Sequence, residues 1–425
     1  MARILVATVP LTGHVHPMLL VVRALVERAH QVTWYAAGKF ASKIGQTGAT
    51  YVPMRIAPDW DDANVEAALP QLRGTRGLAR VRAQLDAMFI APAPAQLADL
   101  REVVDRQPAD AVLADQAHLG AAFLAESSGL PWAQLGISAL GLSSRDTAPF
   151  GTARPPAKTA YDRLANRFLR WLVDNVLFRA TNRAYRHARE EAGLRGKRSY
   201  FDVVSPDLYL QPTVPSFEYP RSDLPPQVTF IGPLVPPPTN ASLPSWWNEV
   251  MEARQRGTPI ILVSQGTLAT DPRELIRPAL DGLASMDVLI VVTNPQTIEA
   301  PSNARVAAFV PYQSLLPHVS VMVTNGGYGG VQMALAAGVP LVVAGDSEEK
   351  PEIAARVRWS GAGIDLRKGR PRARDVRAAV QRVLADRSFA DRAGVIATEM
   401  SRCNAPLTAA LQIEDLIQRQ TRVAA

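Results

Sequence analysis

Residues 310–357 read VPYQSLLPHVSVMVTNGGYGGVQMALAAGVPLVVAGDSEEKPEIAARV. An apolar run, Val319 to Thr324, ends in Asn325-Gly326-Gly327-Tyr328-Gly329-Gly330. A helical pattern follows at once, then Gly338-Val339-Pro340, a second short strand from Leu341 to Ala344, and an acidic loop from Asp346 to Glu349. Strand, helix, strand in this order is the unit of a parallel α/β sheet. Glycines between a strand and a helix N-terminus let an anion approach free main-chain N–H groups at the positive end of the helix dipole. The chemistry that fits is a phosphate group. An ordinary β-α-β crossover with a glycine-rich turn is the plainer reading of the same residues.

Upstream, Pro259 to Ser264 is a second buried-strand pattern, followed by Gln265-Gly266-Thr267. In such sheets ligands bind beyond the carboxyl ends of the strands, so the Gly266–Thr267 turn and the Gly326–Gly330 loop can meet at one diphosphate. The loop lacks the Gly-Lys-Ser/Thr of a P-loop, and its glycine spacing is not that of the dinucleotide fingerprint.

The amino-terminal half opens in the same style. Ile4 to Val9 is an apolar strand, Pro17 suits a first helical position, and Met18, Val22, Leu25 and Ala29 recur at helical spacing before a strand at Gln31 to Ala36. His14 lies between strand and helix start, where a helix N-terminus favours a neutral imidazole able to act as a general base. His16 is two residues on, and spacing does not choose between them. Pro108 to Asp115 is a turn and strand ending on an aspartate, which either orients a histidine or caps the next helix. Residues 54–82 are irregular and expected to line a cleft. Tyr161 to Ala192 is an arginine-rich amphipathic helix, expected to pack on its own domain rather than on a membrane.

Nine prolines between Pro212 and Pro238 form the proline-dense tract of the chain and suggest an interdomain connection. The expected division is residues 1–215, a linker at 216–245, a second unit at 246–403, and a terminal helix at 404–425. Composition is that of a soluble globular protein, with 47% hydrophobic and 20% charged residues. The net charge of +7 is almost all arginine, without a Lys/Arg block interleaved with aromatics, so no nucleic-acid partner is expected. The single cysteine, Cys403, excludes an intrachain disulfide and is expected to be buried. The six histidines form no metal pattern, and no apolar stretch reaches membrane-spanning length, so a cytoplasmic protein without stable membrane insertion is expected.

Pro10-Leu-Thr-Gly-His14-Val-His-Pro17 and the stretch from Phe309 to Val357 together resemble the bacterial macrolide-type glycosyltransferases, relatives of the UDP-glycosyltransferases. The resemblance covers nearly the whole chain. It implies an α/β fold of two Rossmann-like domains facing across a cleft, the B-type architecture, with the C-terminal helix returning to the first domain. It implies metal-independent, inverting hexosyl transfer from a UDP- or dTDP-sugar to a hydroxyl of a hydrophobic polyketide, macrolide or phenolic, with no cofactor and a monomeric or homodimeric enzyme. His14 matches the base and Asp115 its partner. Phe309 and Val310 match the base-contacting segment. Gly266, Thr267, Asn325, Gly326, Gly327, Tyr328, Gly329 and Gly330 match the diphosphate site, and Glu349 and Lys350 the sugar loop. Trp60, Met88, Phe89, Ser138, Leu142 and Phe150 fall in the variable acceptor segments. Two positions depart from the family pattern. Asn325 stands where a histidine is usual, and Lys350 where a glutamine is usual. Lys350 either meets the sugar or pairs with Glu348, Glu349 or Glu352. A nucleotide-sugar epimerase and a non-catalytic auxiliary protein are the competing readings.

Overall fold

The computed structural model describes residues 1–196, 199–238, 241–266, 271–294, 296 and 298–424. Two wholly parallel sheets organise the chain. The first contains β1 (Arg3–Ala7), β2 (Gln31–Ala36), β3 (Thr50–Pro53), β4 (Ala111–Asp115), β5 (Trp132–Leu135), β6 (Leu208–Gln211) and β7 (Val228–Phe230). Their order is β3-β2-β1-β4-β5-β6-β7. The second contains β8 (Ile260–Ser264), β9 (Leu289–Thr293), β10 (Ala304–Ala307), β11 (Val321–Thr324), β12 (Leu341–Val343) and β13 (Gly363–Asp365), in the order β10-β9-β8-β11-β12-β13.

Helices cover both faces of each sheet, which is why the strands read as unbroken apolar runs. Successive side chains of a strand point to opposite faces. Ile260 and Leu262 therefore join one core with Val331 and Leu335 of the Tyr328–Ala336 helix. Ile261 and Val263 join the other core with Leu280 and Leu283 of the Ile276–Leu283 helix and Val376 and Val380 of the Ala373–Ala385 helix.

Each strand order reverses once, between β1 and β4 and between β8 and β11. At such a reversal the chain leaves neighbouring strands towards opposite faces, and a crevice opens at their carboxyl ends. Ala7 is level with Ala114, and Thr324 with Ser264. The His14 loop and Asp115 thus share one crevice, and the Gly266 and Asn325–Gly330 loops share the other.

Several local expectations are corrected. The first helix is Thr12–Glu27 and encloses Pro17 rather than starting on it. Its first turn is secured without the proline: Leu11 O accepts from His14 N and Val15 N, and the Asp62 carboxylate accepts from Thr12 N at 2.6 Å and Thr12 Oγ1 at 3.0 Å. Residues 216–245 are not a free linker. Val228–Phe230 is the edge strand β7, paired with β6, and prolines before it are tolerated because an edge needs fewer ladder bonds. Phe217 and Tyr219 in the same tract are buried. Cys403 is exposed beside Gly232.

The Ala405–Ala424 helix returns to the first sheet, where Ala409, Ala410, Ile413 and Leu416 enter its core. Glu414 on that helix accepts from Arg28 Nε and Nη2, both at 2.7 Å. The arginine-rich stretch is two helices, Ala160–Leu172 and Arg179–Glu191, joined by a π-helical turn at Val173–Leu177. Tyr185 is buried as expected, whereas Leu164, Phe168, Trp171 and Val176 are exposed. Among the described residues no helix is long and apolar enough to cross a membrane.

Candidate active site

His14 is the third residue of the first helix and is only 8% exposed. Its Nδ1 is 2.9 Å from Asp115 Oδ1. Asp115, at the end of β4, is fully buried and accepts two further hydrogen bonds, from Val9 N to Oδ2 and from Ala117 N to Oδ1, both at 2.8 Å. Burial pushes this carboxyl up. The pairing with His14 and the Val9 N–H outweigh that effect and hold it below the usual carboxylate range. An ionised Asp115 accepts the proton on Nδ1, so Nε2 carries the lone pair. Nε2 has no hydrogen-bond partner among the described residues.

Asp115 does not cap the helix that follows it. That role falls to His118, whose Nδ1 accepts from Ala121 N at 3.1 Å at the start of the Leu119–Ser128 helix. Burial lowers the His118 pKa to about 4, so this imidazole is neutral. His16 faces the other way. Two residues advance a helix by roughly 200°, and His16 is exposed with Nε2 2.9 Å from Lys43 Nζ.

Beside His14 lies an apolar cluster of Val9, Leu11, Leu69, Leu72 and Met88, with Trp60 and Phe89 packed against it. The Phe89 ring centroid is 6.2 Å from that of His14. Met88 and Phe89 sit in a π-helical turn, Leu85–Ile90, a local widening of the helix that is often associated with functional sites. Of the six expected acceptor residues, Trp60, Met88 and Phe89 therefore gather at His14. Ser138, Leu142 and Phe150 do not join this cluster. The Ser138 carbonyl accepts from Gln211 Nε2 at 2.9 Å, Leu142 packs with Leu140, Tyr209 and Val228, and Phe150 covers Gly141.

In the second crevice, Gly326 has φ +91°, and a Cβ there would lie 2.9 Å from Val343 Cγ1. This left-handed residue turns the chain from β11 into the Tyr328–Ala336 helix, whose first turn contains no acidic side chain. The main-chain N–H groups of residues 328–330 have no acceptor within the helix, as at any helix start. A Cβ on Gly329 would meet open space. Asn325 Nδ2 donates to the Gln265 carbonyl, tying the β11 loop to the β8 loop. Among the described residues its Oδ1 is buried without a partner. The Gln265 carbonyl engages one of the two Nδ2 N–H groups, and the amide keeps a second donor. Gly266 lies alongside Asn325 with φ +79°, and Thr267 lies outside the described residues. Gln265, not foreseen from sequence, holds the loop by accepting from Leu275 N and Ile276 N at 3.1 and 3.2 Å.

Val310 is buried in the second core, while Phe309 before it is 62% exposed. Lys350 Nζ is paired with Glu348 Oε2 at 2.6 Å and Ser347 Oγ at 3.0 Å. Lys350 is thus paired within its own loop. Glu349 is pushed above the usual carboxylate range by burial and by the Glu348 charge.

The two halves are locked together by residues that sequence reasoning missed. Tyr328 OH accepts from Gln211 Nε2 at 3.0 Å, so its side chain serves the seam rather than the phosphate crevice. Arg356, on the Lys350–Ser360 helix, reaches into the first half. It bonds Glu218 Oε1 at 2.6 Å and the Leu140 carbonyl at 3.1 Å, and lies over the Tyr219 ring at 4.3 Å. Arg356 also bonds Glu352 Oε2 at 2.9 Å, while Glu352 Oε1 accepts from Gly151 N and Ala153 N. Nothing in the sequence pattern pairs residues so far apart. Among the described residues no three His, Cys, Asp or Glu side chains are grouped to hold a metal ion.

Two facing Rossmann-like halves define a class, the B-type architecture of glycosyltransferases. The glycosyltransferase of kitacinnamycin has the same fold over 98% of both chains, with a TM-score of 0.74 and 26% identity. The calicheamicin glycosyltransferase CalG4 matches over 99% of both chains, with a TM-score of 0.75 and 22% identity. Residues 277–416 match the family described as erythromycin biosynthesis protein CIII-like, C-terminal domain. The 4'-demethylrebeccamycin synthase of Lentzea aerocolonigenes is 44% identical over 98% of this chain and 100% of that one. UDP-glycosyltransferase 2 of Phaeomoniella chlamydospora is 32% identical over 97% of this chain and 95% of that one. The chain belongs to the macrolide-type glycosyltransferases of B-type fold. It is an enzyme, a glycosyltransferase of the natural-product type.

Proposed function

We propose that the enzyme transfers a hexose, with inversion, from a uridine or thymidine diphosphate sugar to a hydroxyl of a hydrophobic small molecule such as a polyketide, macrolide or phenolic. The observation that carries this reading is the buried His14–Asp115 pair at 2.9 Å, with Nε2 left unbonded at a strand-order reversal. In the proposed reaction Nε2 takes the acceptor hydroxyl proton while that oxygen attacks the anomeric carbon. The bond from that carbon to the diphosphate oxygen breaks on the opposite side, and its electron pair leaves with the diphosphate. Asp115 stabilises the resulting imidazolium. The N–H groups of residues 328–330 and the helix dipole stabilise the departing charge without a metal. Exposed Phe309 supports a face for the pyrimidine. Trp60, Met88 and Phe89 supply an apolar wall for the acceptor. Glu349 supports contact with the sugar hydroxyls.

Removing the His14 imidazole tests this. His14→Ala should abolish transfer while nucleotide-sugar binding, read by calorimetry, persists. Unaltered turnover in that variant defeats the assignment. A thermal-shift panel of nucleotide sugars then identifies the donor, since a ligand that binds only the folded state raises the melting temperature.

A further inference from the structure

The Ala160–Leu172 helix and the turn after it carry an apolar stripe that none of the described residues covers. Tyr161, Leu164, Phe168 and Trp171 recur at spacings of three and four, which places them on one helix face. They are between 55% and 78% exposed, and Val176 extends the stripe at 52%. The Phe168 and Trp171 rings stack, with centroids 6.1 Å apart. The helix is anchored through its opposite side: Asn166 is buried, Arg163 pairs with Asp146 at 2.8 Å, and Arg170 donates to the Ser144 carbonyl. The stripe is therefore a surface feature of a fixed helix.

The charge around it is one-sided. Residues 154–186 contain eight Lys and Arg against two Asp, a balance of +6 in a chain whose total is +7. Arg167 borders the stripe exposed and forms no ion pair among the described residues. A face of Trp, Phe, Leu and Tyr flanked by arginine is the composition of a helix lying in a membrane interface: the rings enter the headgroup boundary and the cations meet anionic lipids. A second copy of this chain fits poorly, because a face-to-face pair sets like charge against like charge. Nucleic acid fits the charge but leaves the aliphatic Leu164 and Val176 without a role.

We propose that this helix face docks the enzyme peripherally on an anionic lipid surface. The docking rests on the exposed stripe and its charge, not on the assignment of the sugar donor or acceptor. Full-length protein is sedimented with phosphatidylcholine vesicles, with and without phosphatidylglycerol, at low and high salt. Binding should require the anionic lipid and weaken with salt. Losing two partly exposed aromatic side chains should lower vesicle affinity by on the order of a hundredfold in the double variant Phe168→Ala, Trp171→Ala. Its melting temperature and its turnover with a water-soluble acceptor should not change. Arg167→Glu, which spares the apolar contacts, should weaken only the binding to anionic vesicles. The proposal is overturned by equal binding to both vesicle types, or by full binding of the double variant. It is also overturned by a dimer that these substitutions dissolve without vesicles competing for it, or by an oligonucleotide that displaces the vesicles.

Discussion

Replacing Asp115 by asparagine changes one atom, and the site as built has no place for it. The carboxylate accepts three hydrogen bonds: Val9 N at Oδ2, and Ala117 N and His14 Nδ1 at Oδ1. An asparagine whose oxygen faces Val9 turns its NH₂ towards the Ala117 N–H, a donor against a donor, and towards Nδ1. The imidazole must then accept at Nδ1 and carry its proton on Nε2, the wrong tautomer for a base. The reversed amide keeps the tautomer but sets NH₂ against the Val9 N–H, which lies 2.8 Å from Oδ2. Either orientation leaves a buried donor unsatisfied, at a cost of about 1–3 kcal/mol of stability. Loss of the orienting charge in comparable triads lowers turnover about 10,000-fold. The assay is steady-state transfer with a saturating nucleotide sugar, paired with urea unfolding. If Asp115→Asn turns over within about tenfold of the unmodified enzyme, the charge on Asp115 does not govern His14 and the reasoning fails.

Three further outcomes are expected. His118 is buried neutral with a pKa of about 4 against an ordinary 6.5. As pH falls, the unfolded chain takes the proton first, so stability drops between about pH 6.5 and 4 by on the order of 3 kcal/mol; His118→Asn, which keeps a capping oxygen, should flatten that slope in urea midpoints. Arg356→Ala leaves Glu352 buried without its cation and Glu218 with only Arg221 at 3.6 Å, and should cost about 3–5 kcal/mol, read by calorimetric melting. A Cβ at Gly345 overlaps the main-chain oxygen of Asn325, so Gly345→Ala should cost about 1–3 kcal/mol and weaken nucleotide-sugar binding in titration calorimetry.

The geometry of the glycine-rich loop was legible in advance because it is local. A strand end, a left-handed Gly326 and a helix start lie within ten residues, and they set the free main-chain N–H groups whatever surrounds them. The proline tract misled for the opposite reason. Prolines mark where a ladder is interrupted, but they do not show that Val228–Phe230 finds an edge to pair with, or that Glu218 finds a cation 138 residues away. Asn325 was recognised as atypical, yet its engagement with the Gln265 carbonyl depends on β8 and β11 being neighbours, which no spacing reveals.

The sequence alone determined the periodicities, and with them the strand–helix alternation, the two Rossmann-like halves and the places where an anion or a base could sit. These follow from φ/ψ preferences and side-chain period, which act over a few residues. Tertiary structure decided which candidate acts with which. His14 rather than His16 meets Asp115 because the helix turns one inward and the other to solvent, and because β4 lies beside β1 although two strands separate them in the chain. It also decided that the amphipathic face at Tyr161–Val176 has no partner among the described residues. Amphipathicity records that a helix has an apolar side; only the packing of the other helices shows whether anything covers it.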